Sequence, residues 1–581
     1  MIGKIVKVSG ATIVATGLPD ISISDIVYIG EQHLIGEILS ITGDRASIQV
    51  YGETSGLAPG TIVTPLGTPM TAELGPGLLS NIYDGIQRPL VAMQRLSGHF
   101  MANGLHIPAL DEEAAWKFIP AVSKGAFVSE GTVIGTVNEL QTVTHKIMVP
   151  PGISGVVTEI KGGTFTVSQT VCTVSSDGGV TYEIPLMQKW PIRTARPYTQ
   201  KQAPTTLLHS GLCTIDTLFP IARGGTATVS GPVGTGKTFI SHQLAKISDA
   251  DIVVYIGCGQ RGNEINDFLM DFSEIVSPVS GDPLINRTIF IAAASDMPTA
   301  IRESAIYTGI TIAEYFRDMG YLVAVIADSI SQWAQALREI SCCLEEFPGE
   351  EGYPVYLASR LAAFYERAGC VECWGNENRC GSITVIGTLS PAGGDITEPV
   401  TQAALRASKV FLNLDASLAH ARHFPAINWL TSHSFYADIF ASRFGEKKGQ
   451  EFTQNRKKVF EILREEVRLC EIAQLIGYDS MSEADIVTLE IAKIVREDFL
   501  RQNASGNNPD TFSYDTQKNM LSAIVKYDAL CRYALENGVA AQILFGTEAK
   551  NFIERVKFDT HPYDEIEADM ELWIDSAASR E

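Results

Sequence analysis

Gly231-Pro232-Val233-Gly234-Thr235-Gly236-Lys237-Thr238 fits the phosphate-binding pattern GxxxxGK[ST] at every defined position, and its flanks decide the fold. The apolar run Ala227, Thr228, Val229 reads as a strand entering it, and Phe239 to Lys246 reads as the helix leaving it. Glycines let the backbone turn tightly enough for successive N–H groups and the helix N-terminus to face phosphate oxygens. Lys237 adds a positive charge and Thr238 a hydroxyl suited to Mg²⁺. Gly231, Pro232, Val233, Gly234, Thr235, Gly236, Lys237, Thr238 and the adjoining Phe239 are therefore the candidate nucleotide-binding residues.

Outward from the loop, strands are expected at Ala227–Ser230, Ile252–Ile256, Thr288–Ala293, Leu322–Ala327 and Ile383–Gly387, with helices such as Met297–Arg317 between them. Continuous apolar runs of this kind belong to a parallel sheet covered on both faces. Asp328 closes one of them, where a P-loop NTPase needs a carboxylate for the Mg²⁺ shell opposite Thr238. The polar segment Gly257 to Glu264 follows another, at the strand end where open α/β sheets place ligands. Gln260 and Glu264 are candidates to polarise an attacking water, and Arg261 to stabilise phosphate charge.

The chain has 581 residues, too many for one core. Gly3 to Thr64 alternates short β-rich runs, including Ser22–Ile29, with turn signals, which predicts a small antiparallel barrel. Ile107 to Gln188 is again β-like with glycine-rich turns, an inserted β domain. After Phe435 the strands stop: Val459, Phe460, Leu463, Val467, Ile472, Leu475 and Ile476 recur at helical spacing, and Ser482 with Asp485 starts a helix expected to run through Leu500. The fold class is a multidomain α/β chain: barrel at 1–68, connection at 69–110, inserted β domain at 111–190, P-loop nucleotide-binding domain at 191–435 and C-terminal α-helical domain at 436–581.

A net charge of -22 disfavours nucleic acid as a direct partner, since phosphate binding needs a basic surface. Neither a secretion signal nor a membrane span is evident, so a cytoplasmic location is expected. Ten scattered cysteines suit a reducing compartment. Cys370, Cys373 and Cys380 are spaced as zinc ligands could be, but no fourth ligand is evident.

With these residues in view, nearly the whole chain resembles the catalytic A subunit of V/A-type rotary ATPases and ATP synthases. The likeness rests on Glu53-Thr54-Ser55-Gly56, Asp84 to Pro89, His145 to Pro150, Asp216 to Pro220, the P-loop, Gly349 to Pro354, Glu398 to Gln402 and Arg422 to Trp429. The resemblance implies a RecA-like nucleotide domain and ATP or ADP with Mg²⁺ as ligands. It implies an alternating ring of three A and three B subunits with the nucleotide between them, a central rotor stalk and peripheral stalk subunits, and ion transport, of protons or sodium, coupled to ATP hydrolysis or synthesis. The head of such a complex is cytoplasmic and peripheral to the membrane. In that scheme Lys237 holds the β- and γ-phosphates, Thr238 the Mg²⁺, Arg261 the phosphate, and Phe424 stacks near adenine.

The chain departs from the family where chemistry is concentrated. Gln260 stands where the family has a glutamate that polarises water, and Gln332 where it has an arginine. Val233, Cys213, Cys342, Cys343 and Ser505 replace other habitual residues, Ser505 an aromatic near adenine. Two readings follow: a working catalytic subunit in which Glu264 or a water-orienting Gln260 serves, or a divergent subunit that binds nucleotide and turns it over weakly. A hexameric export or nucleic-acid motor on the same nucleotide fold would require a basic, aromatic-lined pore, which the charge balance does not support.

Overall fold

The computed structural model describes residues 2–98, 104–140, 143–176, 178–276, 281, 283–375, 378–439, 445–502, 512–545, 555–557 and 563–578. The first six strands, between Gly3 and Pro69, close into an antiparallel barrel in the order first, second, fifth, fourth, third, sixth. Strand alternation points Ile13, Val27, Ile38, Ile48 and Val63 inward. The third strand begins at Asp25 rather than Ser22, because Asp25 Oδ2 accepts the Ser22 N–H (2.8 Å) and Ser24 takes φ 73°, closing a turn before pairing starts.

Strands between Trp116 and Pro185 build two four-stranded antiparallel sheets around Phe118, Val137, Ile147, Val157 and Val174, the expected inserted β domain. The stretch read as a connection does more than connect. Thr71–Leu74 pairs antiparallel with Gln188–Pro191 at the base of the insert, and Ile82–Tyr83 forms the edge of the large sheet beside Thr288–Ala294.

That sheet runs in the order His433–Ser434, Val410–Asn413, Thr226–Ser230, Cys380–Leu389, Leu322–Asp328, Ile252–Gln260, Thr288–Ala294, Ile82–Tyr83. From Val410–Asn413 to the far edge every pairing is parallel. Alternate residues serve different neighbours. Val253, Tyr255, Ile326 and Ile386 join Ile240 and Leu244 of the P-loop helix and Val459, Leu463, Val487 and Ile524 of the C-terminal helices. Val254, Ile256, Val325 and Val385 join the Thr299–Asp318 helix and, beyond it, Tyr51 of the barrel and Val133 of the insert.

The Thr299–Asp318 helix is buried from Ala300 to Asp318, so its charged residues must be paired. Glu303 receives Arg193 Nη2 at 2.8 Å, and the same guanidinium donates from Nε to Glu37 of the barrel at 2.6 Å. Burial pushes the Glu303 carboxyl up, but Arg193 and Arg360 outweigh it and hold it below the usual carboxylate range. His145 docks the insert, with Nδ1 2.9 Å from Glu139 Oε2 and Nε2 2.9 Å from Tyr315 Oη on the buried helix.

In the C-terminal domain Glu446–Ile476 is one helix, but it outruns the core: Val459 and Leu463 are buried, whereas Val467 and Leu475 are exposed. Ser482 caps the next helix by accepting the Asp485 N–H at 3.2 Å, as its sequence suggests. That helix does not stay α-helical to Leu500; it widens to a π-turn over Val495–Leu500. Among the described residues no helix is long and apolar enough to cross a membrane.

Candidate nucleotide site

The loop after Ser230 turns through Gly234 (φ 87°) and Gly236 (φ 86°), conformations that favour glycine. Its helix starts at Lys237, two residues earlier than the apolar pattern indicates, because the polar Lys237-Thr238 pair hides the first turn. Thr235 Oγ1 donates to Pro232 O (2.8 Å) and Lys237 Nζ donates to Gly231 O (2.7 Å) and Pro232 O (2.8 Å). Burial lowers the Lys237 ammonium, with Asp328 opposing. Val233 points outward, 91% exposed, so its identity leaves the loop's internal bonds untouched.

Parallel register brings the other polar groups to the same edge. Val229 lies beside Thr388, Ala327 beside Gly387 and Gly257 beside Asp328. Asp328 is buried; its Oδ1 accepts from Thr388 Oγ1 (2.6 Å), and its Oδ2 from the Tyr255 hydroxyl (3.0 Å) and Gln260 Nε2 (2.9 Å). Among the described residues it forms no ion pair. A buried carboxylate so placed, with the half-buried Thr238 hydroxyl on the loop, supplies hard oxygen donors of the kind Mg²⁺ takes.

Gln260 lies on the strand, not in the loop after it. Ile252–Gln260 is one strand with a bulge at Gly259 (φ 68°), and a Cβ at Gly259 would lie 2.6 Å from Gln332 Cβ. Exposed Gln332 therefore packs against the bulge that sets Gln260. Glu264 serves the following helix: its carboxylate faces the Arg261 N–H at 3.5 Å, and it makes no hydrogen bond with Asp328 or Lys237. The Arg261 side chain is exposed.

Under this edge His242 of the P-loop helix packs edge-on to Tyr255 and Phe268, with ring centroids at 5.6 and 4.7 Å. Burial pulls the imidazole down to about 4, helped by Lys246. Burial, with Asp328, raises the Tyr255 hydroxyl well above its ordinary range, so it stays a donor.

Next to the loop a cavity of about 460 Å³ is lined by Gly234, Gly236, Phe239, Phe424, Arg422 and Arg501 among others. The Phe239 and Phe424 rings meet edge-on at 4.8 Å. Structure thus joins the loop, Lys237, Asp328 and Gln260 at one end and Phe239 with Phe424 at the other, and leaves Glu264 and Arg261 outside the bonded cluster. Tyr255, Thr388, Arg501 and Gln502 were not legible as site residues. Tyr255 sits inside an apolar run like any core residue, and Thr388 lies one residue past the strand as read. Ser505 lies outside the described residues.

Zinc finds no support at the cysteines. Among the described residues no group of three or more His, Cys, Asp or Glu side chains could hold a metal. Cys370 Sγ donates to Arg223 O (3.1 Å), Cys373 Sγ to Arg317 O (3.3 Å), and Cys380 is exposed.

Comparison with known proteins follows the same division of the chain. The beta-barrel domain of the ATP synthase alpha/beta family matches residues 5–67, the ATP synthase alpha/beta subunit barrel-sandwich domain 107–193, the nucleotide-binding domain of that family 211–434, and the C-terminal domain of V and A type ATP synthase 442–538. The V-type ATP synthase alpha chain of Thermoanaerobacter pseudethanolicus is 51% identical over 573 residues, covering 98% of this chain and 97% of that one. The chain belongs to the V-type ATP synthase alpha chain family. Its counterpart in Acetivibrio thermocellus is 51% identical over 586 residues, covering 100% of this chain and 99% of that one. Among solved structures, the assembled ATPase EscN of the enteropathogenic E. coli type III secretion system shares the fold (TM-score 0.65, 21% identity, 90% of this chain and 100% of that one). As a V-type alpha chain, the protein is a nucleotide-binding subunit of a rotary ATPase.

Proposed function

We propose that the chain binds Mg-ATP and Mg-ADP at the P-loop, at an interface with a B subunit in an alternating ring of three A and three B subunits, and that hydrolysis or synthesis there is coupled to proton or sodium transport through rotor and peripheral stalk subunits. The head would lie on the cytoplasmic side, peripheral to the membrane. The carrying observation is the convergence of Lys237, Thr238 and Asp328 on the C-terminal edge of one parallel sheet. Lys237 would neutralise β- and γ-phosphate charge, and Thr238 with Asp328 would hold Mg²⁺, which when bound offsets the charge that develops on the phosphates. Phe424 would support the base and Arg261, exposed beside the edge, would reach a phosphate oxygen.

A second reading is favoured by one contact. Gln260 Nε2 donates to Asp328 Oδ2, so the neutral amide that would have to polarise the water is tied to the carboxylate that would hold Mg²⁺. On that reading the subunit holds nucleotide while its chemical step is slow, since an amide cannot take a proton as a carboxylate does. ATP turnover by the chain assembled with its B partner, compared with Lys237→Ala and Gln260→Glu, separates the two. Turnover lost in Lys237→Ala and little changed in Gln260→Glu supports the active subunit. Binding without turnover, restored by Gln260→Glu alone or with Gln332→Arg, supports the second reading. Binding and turnover indifferent to Lys237→Ala would sink both.

A further inference from the structure

Asp328 is gripped from both sides by the strands that flank its own. Gly257 lies beside Asp328, so Ile252–Gln260 supplies Tyr255 and Gln260 from one neighbour; Ala327 lies beside Gly387, so the next residue, Thr388, meets Asp328 from the other. The donors divide by oxygen in the same way. Oδ2 accepts from Tyr255 Oη (3.0 Å) and Gln260 Nε2 (2.9 Å), whereas Oδ1 accepts from Thr388 Oγ1 at 2.6 Å, the short length of a charge-assisted bond. A carboxylate offers about four acceptor sites, shared equally by its oxygens. Oδ2 is therefore filled, and Oδ1 keeps one site without a protein donor among the described residues.

Sheet order decides which oxygen faces the P-loop. Cys380–Leu389 lies between Leu322–Asp328 and Thr226–Ser230, the strand that enters the loop, and Val229 of that strand lies beside Thr388. An ion shared by Thr238 and Asp328 has to bridge this intervening strand, across two strand spacings or about 10 Å. Thr388 stands within the span, and the oxygen it binds, Oδ1, is on the loop's side; Tyr255 and Gln260 stand on the far side. Both holds are stiff. The Tyr255 ring stacks on Phe290 at 5.3 Å and 12° and lies 4.2 Å from Phe268. Thr388 is fully buried, and its β-branched side chain has little freedom at χ1.

We infer that Thr388 is a positioning residue that turns Asp328 Oδ1 toward the Mg²⁺ side of the nucleotide site. Mg²⁺ demands near-ideal octahedral geometry, so a carboxylate oxygen free to swing is a poorer partner for the ion or its water. Groups that orient a metal's ligands are worth about tenfold to a hundredfold in metal affinity. The inference rests on the P-loop being a Mg-nucleotide site, and its test keeps the two apart. The quantity measured is the ratio of Kd for a fluorescent ADP derivative in EDTA to that in saturating Mg²⁺, on the chain assembled with its B partner. Thr388→Val and Thr388→Ala remove the hydroxyl with and without replacing its bulk, and Thr388→Ser keeps it. The ratio is expected to fall about tenfold or more in both apolar variants while the Kd in EDTA changes less than about threefold, and to stay within about threefold in Thr388→Ser. Tyr255→Phe leaves Gln260 on Oδ2, so its ratio is expected to fall less than that of Thr388→Val. An unchanged ratio in the apolar variants, equal losses with and without Mg²⁺, a serine variant as impaired as valine, or an equal or larger fall in Tyr255→Phe would overturn the inference and leave the P-loop reading standing. ADP binding indifferent to Lys237→Ala, or a Kd in the unaltered complex that Mg²⁺ does not change, would overturn the Mg-nucleotide reading and the inference with it.

Discussion

At the P-loop end of the cleft Lys237, Asp328, Tyr255, Gln260 and Thr388 are buried and hydrogen-bonded to one another or to the loop backbone. At the other end, beside Phe239 and Phe424, the rings are partly open and two guanidinium groups project without partners among the described residues. The contrast is the one the proposed nucleotide site would require of its two ends. Charge develops on phosphate, and groups that stabilise it are effective when their positions are fixed in advance in a low-dielectric setting. A base is held by its flat face, a contact that tolerates adjustment. Buried hydrogen bonds are thus concentrated on the strand ends, whereas Arg422 and Arg501 are exposed.

The largest blow to the fixed end is Lys237→Ala, expected to lower turnover by about three orders of magnitude or more, read by steady-state ATP hydrolysis of the assembled complex. A smaller effect tests the packing beneath that end. His242 has its folded pKa pulled to about 4, below the unfolded value of about 6.5, so protons bind the unfolded chain more readily between those values. Stability is therefore full above about pH 6.5 and lost as pH falls toward 4, by about 3 kcal/mol from this group. His242→Phe should flatten that part of the pH profile in denaturant unfolding; an unchanged slope would show that the imidazole is solvated. At the adaptable end Phe424→Ala should weaken nucleotide binding by about 1–3 kcal/mol with turnover at saturation largely kept, a split between Kd and kcat. The mildest change is Tyr255→Phe, expected to cost about 1 kcal/mol of thermal stability by removing one bond to Asp328 and one from Gln260. If Phe424→Ala reduced kcat as strongly as Lys237→Ala, the division of labour between the ends would be wrong.

Legibility in the sequence divides along the same line. Glycines, lysine and threonine at fixed spacing, and an aspartate closing an apolar run, make the P-loop end legible because the motif ties each residue type to its position. Gln260 was legible as a residue but not as part of a strand, since the continuous apolar run that marks the strand ends at Ile256 and gives way to Gly257 and the bulge at Gly259. Gln502 and Arg501 were hidden for a different reason. They follow a helix whose pattern continues to Leu500, and nothing local indicates that its last turn widens over Val495–Leu500 or that the residues after it reach back to the Phe424 loop. The Thr71–Leu74 and Gln188–Pro191 pairing joins segments more than a hundred residues apart, beyond the range of any local rule.

Arg193 joins Glu37 of the barrel to Glu303 of the buried helix, with both carboxylates almost wholly out of solvent. Loss of Arg193 leaves the buried Glu37 carboxylate without a cation at a cost of about 3–5 kcal/mol, whereas an apolar trio of similar volume would be neutral or better. The three positions are far apart in the gene, so the apolar alternative is reachable only through destabilised single mutants. Descent can therefore preserve this cluster by the absence of a passable route away from it, and its persistence among relatives would record history as much as function.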